Sequence, residues 1–230
     1  MSDLFFQGEH KLSTTVVAID GPAGAGKSSV AKVIAKRLGF THVNTGSLYR
    51  AVGFALRSAG ASLDHVELKD LEKISLEYKD GVLLLNGADP GAALRTPQCA
   101  ADASFVAKQP LVRDFLLSVQ RSSAADNWIV MEGRDIGTVI FPDAMVKIFL
   151  TASASERARR RIAQGEAPAG ATLEEVQKEI EARDLQDSTR AVAPLRAAED
   201  AVVIDSSQLT LEETVDAIAA VVDEKRKGSR

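Results

Sequence analysis

The chain has 230 residues, 45% of them hydrophobic and 26% charged, which suits one large domain, or a core with small insertions, built around a substantial apolar interior. A formal net charge of −4 gives none of the global basicity of a nucleic-acid or anionic-membrane binder, so any polyanion site has to be made by local arrangement. The single cysteine, Cys99, allows no internal disulfide, so a reducing cytoplasmic setting is expected and Cys99 reads as a packing residue.

No stretch approaches the run of about 20 apolar residues that a membrane-spanning helix needs. The N-terminus has no basic region leading into an apolar one, so a signal peptide is not expected, and residues 1–14 read as a disordered tail. Residues 15–20 are a short β-branched run, and a glycine-rich turn follows. Val30, Val33, Ile34 and Leu38 then recur at helical spacing, which predicts a helix over residues 28–38 that Gly39 stops. Strand, glycine turn and helix open a βαβ unit. Residues 41–43 form a weaker second strand, followed by a helix over residues 46–58.

Ile74, Leu76 and Tyr78 alternate with polar residues, and Asp80-Gly81 and Asn86-Gly87 bracket the apolar run 82–85. Both dipeptides are hairpin-turn signals, which predicts a small antiparallel sheet inserted into the core. A helix over residues 110–123 follows, then buried strands over 128–131, 146–150 and 201–204, and a last helix over 211–225. Residues 155–190 are dense in charge, carry helical patterns on either side of residues 165–170, and have too few large apolar residues to be core, so they read as a mobile flap. The fold class expected is α/β: a doubly wound parallel sheet with helices on both faces, a small antiparallel β insert and a helical lid. In segments, the core takes residues 15–62, 98–152 and 191–224, the insert 63–97, the lid 153–190, and a solvated basic tail 225–230.

Gly21-Pro22-Ala23-Gly24-Ala25-Gly26-Lys27-Ser28 satisfies the phosphate-loop pattern G-x-x-x-x-G-K-[ST], with a strand before it and a helix after it. Glycines let the backbone curl so that successive N–H groups face phosphate oxygens, and the helix N-terminus adds partial positive charge. Lys27 can reach the β- and γ-phosphates, the Ser28 hydroxyl can join a Mg2+ shell, and the stretch through Ser29 is assigned to ATP. Such a loop alone does not separate a kinase from a GTPase or a motor ATPase, although the absence of an Asn-Lys-x-Asp guanine signature weighs against a GTPase. Glu132 ends the strand Ile129-Val130-Met131, where such proteins place a ligand for metal-bound water; the plain alternative is a strand-end carboxylate facing solvent.

Phosphoryl transfer needs in-line substrates and neutralised equatorial oxygens, which is work for arginines and Mg2+. Arg157, Arg160 and Arg161 stand at i, i+3 and i+4 of the flap's first helix, and Arg183 and Arg190 flank Asp187 in its second half. Alone, these would read as a solvated charged face. Arg134-Asp135 follows the Glu132 strand end, where catalytic residues of open α/β sheets collect.

Thr45-Gly46-Ser47-Leu48-Tyr49-Arg50 resembles the acceptor-side segment of nucleoside monophosphate kinases. Together with Ile19-Asp20-Gly21-Pro22, the run Glu132-Gly133-Arg134-Asp135-Ile136-Gly137-Thr138-Val139-Ile140-Phe141-Pro142, Val146-Lys147-Ile148-Phe149-Leu150 and Arg190-Ala191-Val192-Ala193-Pro194-Leu195, it makes residues 15–222 resemble bacterial cytidylate kinase. That resemblance implies ATP as phosphoryl donor, Mg2+ near Ser28 and Glu132, and CMP or dCMP as acceptor. It assigns the acceptor phosphate to Arg50 with Thr45, Arg134 and the flap arginines, and cytosine to Ser104, Arg113 and Asp135. A carboxylate suits the cytosine amino donor, and an arginine or hydroxyl suits O2 and N3. Arg183 and Asp187 would meet sugar and phosphate, while Arg157, Arg161 and Arg190 would close over the transferring group beside Lys27. Asn44 stands where an aspartate is common in the family and receives no role; His42 and His65 read as structural and His10 as tail. Asp135→Ala is expected to lose discrimination between CMP and UMP before it loses stability. A kinase for UMP, AMP or shikimate is the competing enzyme, and a P-loop switch the competing class; a monomer without nucleic-acid or membrane partner is expected.

Overall fold

The computed structural model describes residues 15–79, 81–125 and 127–228. The expected tail over residues 1–14, Asp80 of the first turn and the last two residues of the basic tail lie outside them. At the centre is a parallel sheet in the order β2-β5-β1-β6-β7, formed by β1 (Val16–Asp20), β2 (Thr41–Asn44), β5 (Ile129–Gly133), β6 (Val146–Thr151) and β7 (Val202–Asp205). Every residue of β1 and β5 is buried, as expected of inner strands covered on both faces.

Alternation along β1 divides the apolar interior. Val17 and Ile19 face one side with Val130, Ile148 and Leu150, and are covered by α1 (Lys27–Leu38) and the last helix, α8 (Leu211–Gly228). Val16 and Ala18 face the other side with Val43, Met131 and Ile136. Helices on both faces of a parallel sheet are the architecture the βαβ alternation predicts. A neighbouring cluster joins α2 (Thr45–Ser58), α4 (Pro97–Val106) and α5 (Pro110–Ser122) through Leu48, Val52, Val106 and Leu116. Gly53 of α2 lets α4 approach so closely that an added Cβ would lie 2.8 Å from the Cβ of Asp102.

The antiparallel insert is smaller than its two turn signals predict. Strands β3 (Leu76–Lys79) and β4 (Val82–Leu85) pair as a hairpin, with the short helix α3 (Leu68–Leu71) before them. Asn86-Gly87 makes a tight turn at positive φ, 51° and 79°, but joins β4 to no third strand among the described residues. The turn closes at once on a single bridge between Leu85 and Ala88, and the Asn86 side chain accepts the Ser75 N–H at 2.7 Å. Pro90 and the 3-10 turn Gly91–Arg95 then carry the chain away.

The charged segment folds as α6 (Ala154–Ala163) and α7 (Leu173–Thr189), two packed helices with a small interior of their own at Ala158, Val176 and Ile180. Thr172 and Glu175 start α7 with a capping box, which ends the intervening glycine-bounded loop. Among the described residues no helix is long and apolar enough to cross a membrane.

Candidate active site

Parallel strands put the C-terminal residues Asp20, Asn44 and Gly133 on one sheet edge, where open α/β sheets form their crevice. Here the chain leaves β1 through the phosphate loop. Gly24 and Gly26 take φ of 75° and 85°, and Gly26 forms the N-cap of α1 without a side-chain cap, so the first N–H groups of that helix stay available to an anion. Gly21 allows the closest approach: an added Cβ would sit 1.9 Å from the Leu150 carbonyl oxygen, a backbone atom of β6. Gly21→Ala is therefore expected to destabilise the fold by roughly 3 kcal/mol or more, read as a lower urea midpoint. An unchanged midpoint would mean that β6 does not constrain the loop.

Lys27 is buried at the start of α1, and its ammonium donates to the Pro22 carbonyl at 2.6 Å, across the curled loop. Burial, and after it the Arg134 guanidinium, pushes the Lys27 pKa well below the usual lysine range. Ser28 and Ser29 are exposed at the loop's mouth. The Ser28 hydroxyl donates to Glu132 Oε2 at 2.8 Å, which joins the two residues that the sequence offered as a metal pair. Glu132 is buried within β5 rather than facing solvent. Its other oxygen, Oε1, lies 3.0 Å from His42 Nε2, and Asn44 Nδ2 donates to Ser28 Oγ at 3.3 Å.

The arginines converge from several segments. The charges of Arg134, Asp187, Arg161 and Arg50 act on Arg183 of α7, and burial followed by the charge of Arg134 lowers its pKa. Its Nε has no hydrogen-bond partner among the described residues. Burial also lowers the pKa of Arg50. Asp187 holds Arg134 Nε at 2.8 Å. Arg157 lies flat on the phosphate loop: its Nη1 donates to the Ala23 carbonyl at 3.0 Å, and its Nη2 pairs with Asp184 at 2.6 Å. The helical triplet does not act as one face. Arg161 turns to Glu179 of α7 at 3.2 Å, and Arg160 donates to the Ser206 carbonyl at 2.6 Å beside β7.

Asp135 forms a buried ion pair with Arg113 of α5 and lies 3.5 Å from Arg190 Nη2. The Arg113 guanidinium stands 5.9 Å from the centre of the Tyr49 ring. Ser104 is not joined to this pair: its hydroxyl donates to the Ala100 carbonyl of its own helix at 3.2 Å. Thr45 also differs from the expectation of a phosphate-facing hydroxyl. It is buried, and it spends its single proton on the Glu132 carbonyl at 2.7 Å.

A family model described as cytidylate kinase matches residues 17–224. The cytidylate kinase of Thermotoga neapolitana is 45% identical over 215 residues, covering 92% of this chain and 98% of its own. That of Fervidobacterium nodosum is 47% identical over 211 residues, covering 91% and 96%. The chain belongs to the cytidylate kinase family. Among solved structures, an uncharacterized protein from Eubacterium ventriosum superposes with a TM-score of 0.50 at 13% identity, over 90% of this chain and 98% of that one, which is a likeness of fold.

Three residues of this cytidylate kinase family member for which the sequence alone suggests no role in the site stand in the crevice. His42 and Asn44 complete the ring around Ser28 and Glu132. The sequence signal for them was only position: polar residues alternating with a buried Val43 at the end of a core strand. Asp20 ends β1 fully enclosed, and its two oxygens accept the backbone N–H groups of Ile136 and Gly137 at 2.8 and 2.7 Å.

Proposed function

We propose that the chain transfers the γ-phosphoryl group of ATP to the 5′-phosphate of CMP or dCMP, giving ADP and CDP or dCDP. One observation carries the reading: Arg157 contacts the phosphate loop at the Ala23 carbonyl, and the charges of Arg50, Arg134 and Arg161 act on Arg183, that of Arg134 also on Lys27, at a partly buried site. Asp187 and Glu179 offset part of the mutual repulsion of these guanidinium groups, and a doubly charged phosphate monoester is a ligand that would relieve the rest.

The loop from Gly21 to Ser29 holds the donor phosphates, and Lys27 leaves the Pro22 carbonyl to neutralise the β- and γ-oxygens. An acceptor phosphate oxygen attacks the γ-phosphorus, and the bond to the β,γ-bridging oxygen breaks, its electron pair leaving with ADP. The acceptor is already anionic, so no residue has to act as a strong general base. Ser28 and Glu132 offer adjacent hard oxygens, which fits a Mg2+ ion that otherwise keeps waters and phosphate oxygens; they would hold it directly or through water. Bound there, the ion supplies neutralisation of the developing charge between the phosphates.

Arg50 and Arg134 hold the acceptor phosphate, with Arg183 and Asp187 next to the sugar. Arg157, Arg161 and Arg190 exchange their present carbonyl and carboxylate partners for the transferring group when α6 and α7 close as a lid over residues 153–190. Asp135 and Arg113 read the base, and Ser104 joins them only on rotating away from Ala100. The insert over residues 63–97 closes from the other side, and both movements exclude water, which limits ATP hydrolysis before the acceptor arrives.

The test is ADP release from Mg·ATP with CMP, dCMP, UMP, AMP, GMP or shikimate as sole acceptor. Fast release with CMP and dCMP and much slower release with UMP is expected. Equal rates with CMP and UMP would discard the base-reading assignments, and release with shikimate or AMP alone would replace the acceptor.

A further inference from the structure

We propose that Asp20 is a positioning residue for the acceptor base, holding in place the loop that carries Asp135. The inference rests on the reading of Asp135 as a base-contacting residue. Asp20 ends β1 one residue before the phosphate loop, and its carboxylate takes both N–H groups that immediately follow Asp135, Ile136 at 2.8 Å and Gly137 at 2.7 Å. These amides begin the π-helical turn Ile136–Ile140, whose first donors have no partner within the turn. Asp135 itself adopts φ −148° and ψ 24°, outside the helical and strand regions, so its direction depends on the anchoring of the residues after it as well as on its pairing with Arg113. One carboxylate thus ties the donor-phosphate strand to the acceptor-base loop.

The anchor works against the fold's own preference. Burial raises the Asp20 pKa from 3.8 to about 6, partly offset by the Gly137 and Ile136 N–H groups. Because the folded value lies above the unfolded one, the stability linked to this proton is full below about pH 3.8 and is lost as pH rises through about 6. At neutral pH that proton-linked stability is absent, and the carboxylate is held by its two backbone hydrogen bonds. The charged groups facing it are Lys27 from α1, which favours its ionised form, and Asp135 from the loop after β5, which opposes it. Lys147 of β6 packs its alkyl chain beneath Gly137, where an added Cβ would lie 3.1 Å away. A protonated Asp20 would present an O–H to one of its two amides, and that N–H would be left buried without an acceptor.

The experiment is steady-state kinetics of wild type and Asp20→Asn across about pH 5 to 8, varying CMP at saturating ATP and then ATP at saturating CMP. Near neutral pH the variant is expected to raise the CMP KM about tenfold, the loss of one good hydrogen bond, with kcat and the ATP KM little changed. The acceptor phosphate also titrates near pH 6, but equally for both proteins. The gap between their CMP KM values should therefore close as pH falls through about 6, where wild-type Asp20 becomes neutral. An unchanged CMP KM, an equal rise in both KM values, or a gap constant with pH would each overturn the proposal. If the variant does not fold, hydrogen exchange in the wild type decides. After correction for intrinsic rates, protection of the Ile136 and Gly137 amides should fall as Asp20 takes up its proton, and pH-independent protection would overturn it. No CMP-dependent ADP release from the wild type would overturn the kinase reading itself, and the role given to Asp20 with it.

Discussion

Lys27→Ala should lower turnover by roughly 10²–10³, the effect of deleting one preorganised electrostatic stabiliser, about 3–4 kcal/mol of barrier. The loss should fall on kinetics and spare the fold. Among the described residues Lys27 makes one hydrogen bond, to the Pro22 carbonyl, and burial holds its pKa well below the usual lysine range. A lysine with a depressed folded pKa binds fewer protons folded than unfolded, so stability rises with pH from the depressed value up to about 10.5. The alanine variant should lack that rise, as thermal melts at several pH values would record. A variant with wild-type turnover would remove Lys27 from the mechanism.

The second large effect lies at Asp135, where the buried geometry changes the expectation drawn from sequence. With Asp135 taken as a strand-end residue, its alanine variant was expected to lose specificity first. Asp135 instead pairs with the buried Arg113 and lies near Arg190, so truncation leaves guanidinium charge uncompensated inside the protein. Asp135→Ala should then cost about 3–5 kcal/mol of stability together with its specificity. Asp135→Asn also removes the compensating charge, but it keeps the volume and one acceptor oxygen, so its stability cost should be smaller and recognition can be read in the folded variant. Its amide can donate to the uracil O4, whereas a carboxylate accepts from the cytosine amino group. The ratio of kcat/KM for CMP over UMP should fall by roughly 10- to 100-fold, the worth of a hydrogen bond to a charged group. A ratio unchanged from wild type would take Asp135 out of the base-reading set.

What could be read from the sequence was what is local in the chain. The phosphate loop lies within the contiguous residues 21–28, and the strand and helix around it begin and end within a residue of their expected places. The hairpin was legible from Tyr78 alternation, but the second turn was over-read. Asn86-Gly87 has the right backbone, yet Pro90 and the 3-10 turn after it leave no strand to pair. Ser104 reads as lying on a helical stretch, which α4 bears out, but the helix's bounds were not legible: Thr96 and Pro97 supply a cap and a first-turn proline, yet its apolar residues make no clear helical stripe.

At the site, residue types were legible and partners were not. Arg157, Arg160 and Arg161 share a spacing, but only packing against α7 and β7 sends them to Asp184, Ser206 and Glu179 respectively. Asp20 looks like the polar last residue of an apolar strand. Its function depends on amides more than a hundred positions away, a contact no local pattern encodes. His42 was passed over for the same reason, since its partner Glu132 comes from a strand adjacent in the sheet and distant in sequence.

The central claim is that the phosphoryl group goes to CMP and not to water. Phosphorus NMR of one mixture of enzyme, Mg·ATP and CMP follows both fates at once. The account predicts CDP and ADP appearing in equal amounts, with little inorganic phosphate, and neither nucleotide forming with the Lys27→Ala variant on the same timescale. Inorganic phosphate accumulating with ADP while CMP stays intact would contradict it and leave a phosphate-loop protein that hydrolyses ATP.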